Sequence, residues 1–164
     1  MRREPDPAPL SPAHVTRPSV VRSAIITAPA RDVWDLLGNL RRHERLIPLT
    51  TIDAPDRLTR PGDLIVALSA LVLVDRMVTT SVREIGDGPA DLDWGRWATF
   101  RKQGPFLLGE AHLVVRSRGP ETCVVVWAED VHSAYGAAVL ARPVDLSLAM
   151  MSDLALLRLR AAFR

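Results

Sequence analysis

Hydrophobic positions follow two periods along this chain: two residues through its middle, and three to four after Pro29 and again beyond Gly136. Ile25 and Ile26 close a β-like run, and Pro29 sits where a helix tolerates proline at its first position. Asp32 places negative charge in the first turn, and Val33, Leu36, Leu37 and Leu40 recur at helical spacing. Gly38 and Asn39 stop that helix and can cap a second, running through Arg41, Arg42, His43 and Glu44 until Pro48 ends it. The pattern predicts two short helices in a V after the first strand.

Strands are predicted over Thr50 to Ala54, Leu64 to Leu68, Leu71 to Glu84, Asp91 to Lys102, Phe106 to Arg116 and Thr122 to His132. Pro55, Asp56, Pro61 and Gly62, then Gly86 to Pro89, Gly104-Pro105 and Arg118 to Glu121 supply the turns between them. Neighbouring strands are mostly antiparallel. From about Gly136, Val139, Pro143, Leu146, Met150, Leu154, Leu157 and Ala161 line one apolar stripe of a helix that runs to the end. Pro143 either starts the regular helix or kinks its first turn.

The segment IITAPARDVWDLLGNLRRHERLIP, Asp75-Arg76-Met77-Val78-Thr79, Lys102-Gln103-Gly104-Pro105 and the long apolar C-terminal helix resemble the START/birch-pollen-allergen-like superfamily, in its polyketide cyclase/dehydrase and lipid-transport branch. The resemblance covers roughly Ser19 to Phe163. It implies an α+β helix-grip fold, a curved antiparallel sheet of six to seven strands around a long C-terminal helix, with a cavity between them. That fold serves cyclases, lipid carriers and receptors alike, so it leaves the activity open.

At 164 residues, 48% of them hydrophobic, the chain has material for one sizeable core and not two. Residues 1–18, with four prolines up to Pro12, read as a disordered leader, and 19–164 as one ligand-binding domain. Net charge is only +2, the basic residues are arginines apart from Lys102, and no basic motif is interleaved with aromatics, which argues against nucleic acid. Cys123 is the sole cysteine, so no intrachain disulfide forms, and a cytoplasmic location follows by default. The longest apolar run, Leu64 to Val74, falls short of the roughly 20 residues of a membrane span and reads as two buried strands or a hairpin.

The chain lacks a glycine-rich phosphate loop, a nucleophile elbow and a cysteine-histidine cluster, and no pair of histidines has zinc-site spacing, so no metal site is expected. Cys123 starts a valine-rich strand, where cysteine behaves as a small apolar side chain. The remaining candidates are polar residues that interrupt an apolar strand face. Strict alternation groups Val72, Val74, Arg76, Val78, Thr80 and Val82, so Arg76 is the first candidate for a pocket-facing cation, against an Asp75/Arg76 surface pair. Asp130 and His132 share a face, their backbones roughly 6–7 Å apart, and suit acid-base work if that face is inward; if Trp127 faces inward instead, the pair meets solvent. Tyr135 can offer a phenol at the pocket mouth or serve as an amphipathic plug.

His43 and Glu44, on the helix that roofs the cavity in this fold, can meet a ligand or lie solvated at its rim. Glu110 and His112 oppose the more apolar Ala111, Leu113 and Val115 and read as an exterior pair. One of Trp94 and Trp97 is expected to wall the pocket, with Val78 and Met150 adding apolar lining. An exposed Trp97 or Trp127 on the convex sheet face would favour a homodimer.

The resemblance implies a hydrophobic small-molecule ligand and a cyclase or dehydratase that needs no organic cofactor. In that expectation Arg76 steadies an enolate while Asp130, His132 or Tyr135 move protons. The alternative is a noncatalytic carrier or sequestering protein for a lipid, quinone or antibiotic.

Overall fold

The run VVRSAII forms β1 (Val20–Ile26), which turns Val20, Ala24 and Ile26 inward and leaves Val21 and Ile25 in solvent. The structure, a computed structural model, describes residues 20–70, 73–86, 94–134 and 138–164, with the side chains of 138–144 left aside. After β1 come α1 (Ala30–Leu37), a 3-10 helix (Leu40–Arg45), β2 (Thr50–Asp53), β3 (Leu64–Ser69), β4 (Leu73–Ile85), β5 (Gly95–Pro105), β6 (Leu107–Gly119), β7 (Thr122–Ser133) and α2 (Ala138–Ala162). The strands make one antiparallel sheet in the order β1-β7-β6-β5-β4-β3-β2. Consecutive strands β1 and β2 therefore lie at opposite edges, and the two short helices carry the chain between them. α2 returns to pack on β1 and β7, completing an α+β helix-grip fold with a seven-stranded curled sheet.

Helix α1 buries Ala30, Val33, Trp34 and Leu37, one stripe at helical spacing, and Pro29 caps it from outside as the N-cap residue. Gly38 ends it by donating its N–H to the Trp34 carbonyl at 2.6 Å, where a Cβ would press on the Trp34 indole. The second predicted helix has 3-10 geometry. Side chains three apart eclipse in that form, so Leu40, His43 and Leu46 share the inward side and Glu44 is left outside.

The β4–β5 register shifts between Asp75 and Met77, where the extra residue lies on β5, and between Thr79 and Ser81, where it lies on β4 and breaks that strand's alternation. Asp75 and Thr79 are buried and Arg76 is exposed, while Val82, in phase with Arg76 under strict alternation, packs against the core. On α2 the predicted stripe is the wrong one. Leu148, Ser152, Ala155, Leu156 and Leu159 are buried, whereas Met150 is 64% and Leu157 58% exposed, and Leu146 is exposed too. The helix is apolar on two faces; the face bearing the small Ala149, Ser152 and Ala155 lets its backbone approach the sheet closely. Helix α2 also runs unbroken through Pro143.

Candidate ligand cavity

Between the concave sheet face, the 3-10 helix and α2 lies a cavity of about 340 Å3. Leu40 and His43 form its roof, Ile52, Ile65, Phe100, Leu113 and Trp127 its sheet wall, and Leu148 and Met151 its α2 side. Most of the lining is apolar, and the size falls at the small end of the roughly 300–1,000 Å3 usual for small-molecule sites. Thr50 and Ser69 also line it and bond to each other through their hydroxyls at 2.9 Å.

One patch of this wall is charged. Lys102 on β5 places Nζ 2.6 Å from Asp75 Oδ2 on β4 and 3.4 Å from Glu129 Oε2 on β7, and its side chain is only 6% exposed. β5 and β7 are not neighbours, so this pairing spans β6, a separation of roughly 10 Å. It is possible because Lys102 stands opposite Gly109 and Glu129 opposite Ala111, leaving almost no side-chain bulk on β6 between them. Trp127 Nε1 donates to Glu129 Oε1 at 3.0 Å and fixes that carboxylate from the same strand face. Burial works against the Lys102 ammonium, but Glu129 and Asp75 together hold its pKa above the ordinary lysine value. For Asp75 the balance differs: burial raises its carboxyl above the usual range despite the pull of Lys102.

His43 is fully enclosed. Its Nε2 lies 2.7 Å from the Leu37 carbonyl, which fixes Nε2 as the protonated nitrogen and leaves Nδ1 as the basic one. Burial lowers its pKa to about 4, against a smaller opposing effect of the Leu37 bond, so the ring is neutral at pH 7. The imidazole packs beside Trp127 with ring centroids 5.5 Å apart. The side chains His43, Trp127, Glu129, Lys102 and Asp75 thus form a continuous polar strip along an apolar wall.

Among the described residues expected at the site, His43 alone lines the cavity. Arg76 is exposed because the inward residues of this stretch of β4 are Asp75, Met77 and Thr79, in regular alternation; only beyond the bulge between Thr79 and Ser81 does Val82, in phase with Arg76, turn inward. Trp127 and Glu129 are the inward residues of β7, so Asp130 and His132 point the other way, and His132 is exposed. Tyr135 lies outside the described residues, as does the leader. Glu44 is exposed, its carboxylate accepting the N–H of Ile52 on β2 at 2.6 Å. Neither expected tryptophan walls the pocket. Trp94 is buried in the core with the Arg31 guanidinium 4.8 Å above its ring, and Trp97 is 42% exposed on the convex face, edge-on to His112. Met77 and Met151 take the places expected for Val78 and Met150.

Lys102, Asp75, Glu129 and Trp127 were not among the candidates. A signal for Lys102 was present: it is the sole lysine among 21 basic residues and shares a strand face with Ala98 and Phe100. Glu110 stands opposite the buried Ala111, Leu113 and Val115 and pairs with Arg101, as expected of an exterior residue; His112 turns its ring to Thr99 and Trp97 yet also contributes to the cavity lining. Cys123 is buried and its thiol is pushed up to about 11 by burial, as suits an apolar filler. Among the described residues no cluster of three or more histidine, cysteine or acidic side chains is arranged to hold a metal, and no helix is long and apolar enough to cross a membrane.

No family model and no curated protein matches the sequence. Solved structures do match the fold. A hypothetical protein from Helicobacter pylori superposes with a TM-score of 0.67 at 11% identity, over 88% of this chain and 86% of that one. The Zhui aromatase/cyclase from a Streptomyces species gives 0.62 at 12%, over 87% and 91%. A START superfamily protein from Mycobacterium smegmatis gives 0.60 at 10%, over 88% and 95%. The chain therefore has the START-like helix-grip fold.

Proposed function

We propose that this protein binds a hydrophobic small molecule in its cavity and acts on it as a cyclase or dehydratase that needs no organic cofactor. The observation that supports this most is a buried ammonium, Lys102, in the same apolar cavity as a histidine held neutral with its basic Nδ1 unprotonated. In such a site His43 takes a proton from a carbon flanked by carbonyls, and Lys102 stabilises the negative charge that develops on the enolate oxygen. The enolate carbon then attacks a second carbonyl of the folded chain. His43 returns its proton to the alkoxide that forms, then takes the remaining proton from the same carbon and delivers it to the departing hydroxide, which leaves as water. Holding a flexible chain in a ring-closing shape supplies much of the acceleration.

A noncatalytic carrier is the second reading, favoured by the way Asp75 and Glu129 already occupy the Lys102 ammonium. The two separate on an aryl-capped linear triketone incubated with purified protein. Ring closure by the wild type that is lost in His43→Gln, with affinity for the triketone nearly unchanged, supports the enzyme. Tight binding with no product above the buffer rate supports the carrier.

A further inference from the structure

We propose that the Lys102, Asp75 and Glu129 wall recognises a hydroxyl group, so that the cavity selects an apolar molecule bearing an alcohol or phenol and rejects the matching carboxylic acid. This rests on the reading of the cavity as a small-molecule site. Two carboxylates and one ammonium leave the wall with a formal charge of one negative. Of the three N–H bonds on Nζ, one is directed at Asp75 Oδ2 and one faces Glu129 Oε2, which leaves a third to donate. Glu129 Oε1 is occupied by Trp127 Nε1. Asp75 is nine-tenths buried and lines the cavity, yet its Oδ1 accepts no hydrogen bond among the described residues.

A partner that completes this wall must donate to Asp75 Oδ1 and accept from Lys102. A hydroxyl does both. A ketone in its keto form accepts only, and leaves the aspartate oxygen orphaned at the cost of a buried unsatisfied acceptor; its enol carries the hydroxyl the wall takes. A carboxylate cannot donate and adds a second negative charge to a dry wall. An ammonium donates but meets Lys102 head-on.

The test uses three bicyclic probes of similar bulk at pH 7: 2-naphthol, 2-methylnaphthalene and 2-naphthoate, titrated by fluorescence into wild type and Asp75→Asn. A charge-assisted hydrogen bond predicts that 2-naphthol binds wild type about tenfold or more tighter than 2-methylnaphthalene, with 2-naphthoate weakest. In Asp75→Asn the 2-naphthol advantage falls away and 2-naphthoate gains, because the amide donates where the carboxylate accepted. The wild-type series decides the matter even if the variant fails to fold. Equal affinity for all three probes overturns the hydroxyl assignment and leaves the cavity reading standing. Absence of binding by all three overturns the cavity reading and this proposal with it.

Discussion

Lys102 Nζ lies 2.6 Å from Asp75 Oδ2 inside a mostly apolar wall. Taking such charges out of water costs several kcal/mol each, and their attraction repays this only when every partner is in place. Lys102→Met leaves Asp75 and Glu129 facing each other with no cation, so urea unfolding at pH 7 is expected to show a loss of about 3–5 kcal/mol. Replacing all three residues with Met, Leu and Leu should recover most of that. Because the native pKa of Lys102 lies above its ordinary 10.5, the stabilisation is fully present at pH 7 and is lost only as pH rises through the native value. A Lys102→Met protein as stable as wild type would show that the cluster does not form in solution.

His43 gives the opposite pH signature. Its native pKa of about 4 lies below the 6.5 of the unfolded chain, so its contribution is complete above pH 6.5 and is lost as pH falls towards 4. The shift corresponds to about 3 kcal/mol across that window. Denaturant midpoints measured from pH 7 to pH 4 should fall for wild type more steeply than for His43→Gln, which can still donate to the Leu37 carbonyl. Parallel curves for the two proteins would mean that His43 titrates normally and is not enclosed.

Gly109 tests the gap that lets β5 reach β7. Its φ is +125°, a region that side chains rarely adopt, and a Cβ there would collide with the Asp130 carbonyl oxygen. Gly109→Ala is expected to lower stability by about 3 kcal/mol or more in thermal unfolding, the sum of backbone strain and a strand forced away. The neighbouring β6 substitution Leu108→Ala, at a partly buried position, should cost less.

Arg76 and His132 provide a negative control for the cavity. Both are exposed, so Arg76→Ala and His132→Ala should change stability by no more than about 0.5 kcal/mol and leave the affinity for 2-naphthol as it is in wild type. A large loss of affinity in either variant would place these residues inside after all.

The misplacement of Arg76 shows where sequence reasoning stops. Strand number, order of elements and the roofing helices were legible because they follow from local periodicity and turn residues, which act over a few positions. Which face of a strand points inward needs an unbroken count of two, and the bulge between Thr79 and Ser81 breaks that count on β4, so that Val82, inward beyond it, shares Arg76's phase and lends the wrong face its apolar look. For β7 the alternation offered two self-consistent choices. The choice fell to Trp127, which fills the cavity wall and bonds Glu129, a contact no local pattern encodes. The ionic wall joins residues 27 apart in the pair Asp75 and Lys102, and each of them is unremarkable within its own strand.

The same ambiguity on α2 yields the sharpest stability test. Two leucines two residues apart, Leu157 and Leu159, belong to different faces of one helix, and periodicity alone favoured Leu157. In the structure Leu159 is fully enclosed by the core while Leu157 stands 58% in solvent. Truncating Leu159 to alanine removes buried methyl groups and leaves a cavity, at an expected cost of about 2–5 kcal/mol. Truncating Leu157 removes groups already hydrated, with an expected change within about 0.5 kcal/mol. Chemical denaturation of the two single variants, run side by side, reads the rotation of α2 directly. The reverse ranking would turn the helix by roughly half a turn, carry Met151 and Leu148 away from the cavity, and dissolve its α2 wall.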